Sequence, residues 1–321
     1  MLRIHFTGED LARTRVAPGP EPLWELVLSM HVLRTRNADP VLDPWKRTVT
    51  AALRPGSPVR AEVDMLVKLN PPLGYFPDFL TPAVADRDFE AAIEQVVRTP
   101  REVLEREVGL LETRSSALDG LRRGDASSAE ALGTAMRSYQ KTALDPIWDR
   151  VRAAIDADRA LRGRMMVERG VEAMLGAIHP AMRWSGGVLE IDGYRGEPDL
   201  HLDGRGLVLV PSYFKSNEMP LKLADHDLPP VLVYPVKKTP VLPAGVRKEA
   251  LASLVGRTRA SVLEVVAEGC TTTELARRLN ISMSAASEHA AVLRDSGLLV
   301  SVRDANRVMH SLTPLGLALL G

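Results

Sequence analysis

Cysteine occurs once, at Cys270, in a chain of 321 residues. That excludes an intrachain disulfide framework and any cysteine-rich metal site. No charge of either sign predominates, because 41 Lys and Arg balance 41 Asp and Glu. Bulk electrostatics therefore points to no polyanionic partner. Lysine is scarce, 8 against 33 arginines; the skew reads as codon bias, although arginine is the better fork where it reaches a phosphate. No apolar run approaches the roughly 20 residues needed to span a bilayer. The opening MLRIHFTGEDLAR carries charges every few residues and shows no signal-peptide core. The expectation is a soluble, cytoplasmic protein without a membrane partner. What is present, 45% apolar and 26% charged residues, is ordinary material for a globular core and excludes collagen-like or disordered chains. The length suits two domains.

Enzyme signatures are missing as well. There is no Gly-x-x-x-x-Gly-Lys-Ser/Thr loop, and Gly204-Arg205-Gly206 is only a fragment of a dinucleotide fingerprint. Trp184-Ser185-Gly186-Gly187 lacks the first glycine of a nucleophile elbow. The histidines are scattered, with no His-Glu-x-x-His pair. Asp225-His226-Asp227 has metal-ligand chemistry but reads as loop polarity before Leu228-Pro229-Pro230. No catalytic residue, cofactor or metal is expected.

The stretch PVKKTPVLPAGV at 235–246 holds three prolines, a glycine and two lysines and reads as a linker. It divides the chain into an N-terminal domain, 1–240, and a C-terminal domain, 245–321. The C-terminal part carries nine cations against seven acids, a slight excess of about +2. The N-terminal part opens on a strand, LRIHF, and then reads as mainly helical, at 21–35, 42–53, 88–98 and across 100–144 with breaks near Gly120 and Gly124. Asp145-Pro146 looks like a cap followed by a first-turn proline, starting a glycine-interrupted helix to Met174. VLEID (188–192), LVLV (207–210) and VLVY (231–234) read as strands of one small sheet. The fold class expected is α+β, predominantly helical.

The last 75 or so residues carry the most specific order of elements. Residues 247–267 form an amphipathic helical stretch. Thr271-x-x-Glu274 is a capping box opening the helix TTELARRL. Asn280-Ile281 makes a turn, Ser282 caps MSAASEHAAVLRDS, and Gly297 stops it. Ala286, Ala290 and Leu293 fall on that helix's inner face. LLVSVR (298–303) and RVMHSL (307–312) alternate as a hairpin around Asp304-Ala305-Asn306, and Thr313-Pro314 caps a last helix, LGLALL. The whole reads as a winged helix-turn-helix.

The run from Glu274 to Gly316 resembles the ArsR-type winged-helix transcriptional repressors, in Ser287-x-His289, in Leu293-Arg294-Asp295-Ser296-Gly297-Leu298 and in Leu312-Thr313-Pro314-Leu315-Gly316. GRGLVLVPSYF, at 204–214, resembles the extension of a subgroup of large ArsR-like regulators. The resemblance implies a repressor that binds double-stranded DNA. It also implies two cysteines before the recognition helix in metal-sensing members; those positions hold Thr271 and Thr273, whose neutral hydroxyls cannot replace thiolates for soft metals.

The DNA-facing residues expected are Arg277, Arg278, Ser282, Ser284, Ala285, Ser287, Glu288, His289, Arg303 and Arg307. Outward residues near the start of a recognition helix reach base edges, and arginines beside it reach phosphate. Each has a plainer alternative: Ser282 as a cap only, His289 packed inward, Glu288 tolerated rather than accepting from a cytosine amine, and the wing arginines merely solvated. So small a net charge suggests a homodimer on an inverted repeat. The N-terminal domain is expected to dimerise the protein, sense a small organic effector, or both. Trp24, Trp148, Met165, Trp184 and Phe214 form the candidate pocket, against the alternative that each is a core anchor. An enzyme fused to a winged helix, and a protein-interaction module on a degenerate one, are the rival readings.

Overall fold

The computed structural model describes the chain except residues 36–38, 72–74, 83–87, 112–114, 194–198, 216–220, 224–229, 239–243, 268, 305–306 and 321. The fold is predominantly helical with small sheets, an α+β architecture. The chain separates into two compact units, Met1–Thr239 and Pro240–Gly321. Among the described residues no helix is long and apolar enough to cross a membrane.

The strand segments of the N-terminal unit do not form one sheet. Leu2–His5 lies inside a four-stranded sheet, antiparallel to Val188–Ile191 and parallel to Asp199–His201, with Met182–Ser185 at the edge. Here alternation is clean: Leu2 and Ile4 are fully buried, while Arg3 reaches outward to Asp199 at 2.7 Å. Val208–Ser212 and Val231–Pro235 belong to a second sheet, parallel to each other and flanked by Arg15–Val16 and Leu221–Leu223. Leu209, Leu232 and Tyr234 face the core shared with the first sheet, and Val210 and Val233 join the helical core on the other side. Burial on both faces explains why these strands read as unbroken apolar runs.

The helical core is organised around Pro22–Arg34, nearly all of it buried, against Asp43–Ala52, Phe89–Val97 and Ala126–Tyr139. One helix boundary differs from the sequence reading. Asp145 does not cap: a π-helical turn, Gln140–Leu144, runs directly into the 3-10 turn Asp145–Ile147, so Asp145 has helical angles (φ −52°, ψ −41°) and its carboxylate accepts from Gln140 Nε2 instead. The long helix Trp148–Gly176 is interrupted at Gly170, where φ is +84°.

One glycine ties the amino end to the second sheet. Gly206 has φ +73° and donates its N–H to Asp10 Oδ1 at 3.0 Å, while Asp10 closes a capping box with Thr7 on the helix Gly8–Arg13. Burial pushes the Asp10 carboxyl up, but the hydrogen bonds from Thr7, Gly206 and Gly204 outweigh it and hold the group below its ordinary value. A Cβ at position 206 would meet the Arg13 carbonyl carbon at 2.9 Å, and backbone cannot yield as a side-chain tip can. Gly206→Ala should therefore destabilise the unit by about 2–4 kcal/mol, combining left-handed strain with this clash. An unchanged midpoint in denaturant titration would refute that.

Candidate nucleic-acid interface

The C-terminal unit has its own core, in which Leu251, Val262, Leu263, Leu275, Ala286, Leu293 and Leu299 meet. The stretch 247–267 is two helices rather than one, Ala244–Val255 and Arg257–Val266, broken at Gly256 with φ +90°. The helix Thr272–Leu279 starts at a reciprocal cap: Thr271 N–H donates to Glu274 Oε2 at 2.8 Å and Glu274 N–H donates to Thr271 Oγ1 at 3.2 Å. These bonds from Thr271 hold the Glu274 carboxyl below its usual value. Asn280 then takes a left-handed conformation, φ +53°, and Ile281 N–H closes onto the Ala276 carbonyl at 3.0 Å.

Ser282 caps the following helix, Met283–Asp295, accepting from Ala285 N–H at 3.1 Å. Ala286, Ala290 and Leu293 are buried against Leu275 and Ala276 of the preceding helix. Small residues there let the two helices approach closely. The helix ends in a Schellman closure at Gly297: Leu298 N–H bonds the Leu293 carbonyl at 2.9 Å and Gly297 N–H the Arg294 carbonyl at 2.8 Å. An antiparallel hairpin follows, Leu299–Asp304 with Arg307–Leu312, and Cys270–Thr271 adds a short third strand. Thr313 Oγ1 caps the last helix, Pro314–Leu320, through Gly316 N–H at 3.0 Å.

Two capped helices at a left-handed turn, with a hairpin behind them, have a known counterpart: residues 257–302 match the model of a helix-turn-helix domain. The C-terminal unit carries a helix-turn-helix domain. That domain supports a DNA-binding regulator. No curated protein matches the chain.

The helix-turn-helix places the expected residues as follows. Ser282, Ser284, Ser287 and Glu288 are exposed on the second helix, Ala285 and His289 are half-buried, and Arg277 and Arg278 are exposed on the last turn of the first. The Ser282 and Ser284 hydroxyls pair at 3.0 Å, so Ser282 is both a cap and an exposed polar group. His289 Nδ1 is buried and has no hydrogen-bond partner among the described residues. Arg303 is exposed at the hairpin end; the side chain of Arg307, with Ala305 and Asn306, lies outside the described residues.

The sequence reading missed His310. It is buried in the hairpin, with Nε2 2.9 Å from Thr272 Oγ1 and Nδ1 2.8 Å from Ser301 Oγ. Burial, then the Arg294 charge, lowers its pKa, so the neutral ring ties the hairpin to the first helix. Its place on an alternating strand, facing inward with Leu299 and Leu312, is the signal that marks it. Cys270 is buried, and burial pushes its thiol up, away from thiolate chemistry. Thr271 is committed to the cap. Asp225, His226 and Asp227 lie outside the described residues.

The five residues expected to form an effector pocket are not brought together. Trp24 packs edge-on against Phe76 and Trp148 edge-on against Phe89, while Phe214 lies tilted against Trp45, all in or on the helical core. Met165 and Trp184 lie against the other core, Trp184 edge-on to Phe6. Aromatic scarcity distributes them as separate anchors, one per local contact.

The same unit holds a polar cluster that the sequence reading did not identify. It lies past the carboxyl ends of the parallel strands Val208–Ser212 and Val231–Pro235. Glu25, fully buried, accepts from Tyr213 N–H at 2.9 Å and Phe214 N–H at 3.0 Å. Burial raises its pKa to about 7 against the pull of those bonds, of Ser212 and of the Lys238 charge. The Lys238 ammonium is itself buried, 3.3 Å from Asp39 Oδ2, and desolvation lowers its pKa. Nearby His31 donates Nε2–H to Asn70 Oδ1 at 2.6 Å; burial first, with the Arg34 and Lys215 charges, lowers its pKa to about 4. A lone carboxylate inside the apolar helix PLWELVLSMHVL was the visible signal.

Proposed function

We propose that this chain is an ArsR-type transcriptional repressor that binds an inverted-repeat operator as a homodimer. In this reading it is a cytoplasmic, non-enzymatic regulator whose N-terminal unit dimerises it and senses a non-metal effector. The observation that carries the proposal is the pair of capped helices over 271–297, whose second member turns Ser284, Ser287 and Glu288 outward, within the matched helix-turn-helix. Small polar residues at the start of such a helix allow backbone and side chain to approach base edges. The cations that meet phosphate lie beside that helix, at Arg277, Arg278 and Arg303, rather than on its outward face.

The reading is tested by selecting bound sites from fragmented genomic DNA with the purified protein. Enriched sites should be palindromic, with half-site centres about 10 bp apart or a multiple of that. No enrichment over random DNA defeats it. Arg303→Ala should weaken all sequences alike and reduce the slope of log affinity against log salt by about one unit. Ser284 and Glu288 substitutions should instead change which base is preferred. An Arg303→Ala protein with an unchanged salt slope would remove the wing from the interface.

Metal indifference belongs to the same proposal. With Thr271 held in a cap and Cys270 a buried thiol, zinc, cadmium or arsenite should leave operator affinity unchanged. Release of DNA at stoichiometric metal would contradict this.

A further inference from the structure

The exposed apolar residues of the helix-turn-helix include one at an unexpected place. Met283 is the first residue of the second helix and is 49% exposed. The inner face of that helix is already filled by Ala286, Ala290 and Leu293, which are buried. Met283 continues the spacing of those residues at the open end of the face, where about half of its side chain is exposed. Ser287, one turn on in the same column of the helix surface, is small and exposed, and the Ser282 and Ser284 hydroxyls beside it are engaged with one another and with the cap. Met283 is therefore the longest apolar side chain projecting from the opening turn, where polar neighbours are the rule.

The opening turn of a second helix in this motif is the part that enters the major groove. Base edges there present donors, acceptors and one apolar group, the C5-methyl of thymine. An unbranched thioether chain has the reach and adaptability to cover a methyl group without demanding a fixed geometry. Glu288, exposed in the neighbouring column, offers an acceptor suited to a cytosine amine. The geometry points to Met283 as a specificity-determining residue that reads a thymine methyl group in each half-site. This rests on the DNA-binding reading above.

The test uses the full-length protein and the operator recovered by selection. Each thymine is replaced in turn by deoxyuridine, which removes only the methyl group and keeps the base pair. One position per half-site should lose about four-fold in affinity, the worth of one buried methyl-sized group. Met283→Ala should bind the thymine operator weaker by a similar factor and no longer distinguish thymine from deoxyuridine there. Met283→Leu should keep the distinction. The wild-type measurement needs no variant to fold. If the operator is bound selectively but no deoxyuridine position separates wild type from Met283→Ala, the inference falls and the DNA-binding reading stands. If the wild type selects no operator, that reading falls and takes the inference with it.

Discussion

Glu25→Gln should change the shape of the stability profile between pH 4 and 7, because it removes one of two buried groups whose titrations cancel. Glu25 is raised to about 7 by burial, against an ordinary 4.5. In that interval the folded chain holds a proton that the unfolded chain has released. The stability it contributes is complete below pH 4.5 and is lost as pH rises through 7. His31 is lowered to about 4 from 6.5, so there the unfolded chain holds the extra proton. Its contribution is complete above pH 6.5 and is lost as pH falls through 4. Each interval spans about 2.5 units, or roughly 3 kcal/mol. Between pH 4.5 and 6.5 the two slopes offset each other. Relative to wild type, Glu25→Gln should therefore gain about 3 kcal/mol on going from pH 4.5 to 7. His31→Gln should show the opposite trend from pH 4 to 6.5, and the double variant should return towards the wild-type slope. All four tryptophans, Trp24, Trp45, Trp148 and Trp184, belong to the N-terminal unit, so their fluorescence in denaturant titrations reports this unit alone. Parallel profiles for wild type and Glu25→Gln would mean that the carboxyl is not buried as described.

The contrast between the two units shows what kind of information a sequence displays. In the C-terminal unit the decisive features are local. Thr271 and Glu274 are three residues apart, Ser282 caps its own helix, and Asn280 and Gly297 sit where a left-handed residue ends a helix. Each is a short-range hydrogen-bonding device, so spacing alone exposes it. Gly256 is the exception: a glycine inside an apolar-periodic stretch is equally compatible with a tolerated residue and a break. In the N-terminal unit the decisive features are distant. The strand at Leu2–His5 finds its partners nearly the whole unit away, at 188–191 and 199–201, and no local pattern encodes that pairing. For this reason the strand segments read as one sheet where the structure has two. The candidate pocket is dispersed on the same ground, because residue type suits Trp24 and Trp184 to a pocket or to a core anchor but does not show that they serve different cores. On the interface itself, helical periodicity separated inward from outward residues. It did not single out Met283, whose exposure follows from its place at the very start of the helix.

Residues 240–321, produced without the N-terminal unit, should fold and still select the operator sequence, but with affinity lower by a factor of about 100 or more. The fragment's core is complete within itself, from Leu251 and Leu263 through Leu275 and Ala286 to Leu299. Its helices begin and end on caps drawn from its own residues, so cooperative unfolding is expected of it. The loss of affinity follows from the proposed division of labour. If residues 1–239 hold two copies together, engaging one half-site places the second recognition helix at a high effective concentration over the other. Severing that link forfeits an advantage of about 10²–10⁴. The fragment should therefore show sedimentation of a monomer, half-site binding at elevated concentration and no response to any compound that releases the full-length protein from DNA. Such a response requires the compound to bind the DNA-competent and incompetent states unequally, with a ten-fold shift in affinity equal to about 1.4 kcal/mol. The residues to examine for it are those around Glu25, Lys238 and Asp39, where the buried Lys238 ammonium pairs with the half-buried Asp39 carboxylate. A fragment equal to the full chain in dimerisation, affinity and response would show that the N-terminal unit neither couples the two half-sites nor senses the effector.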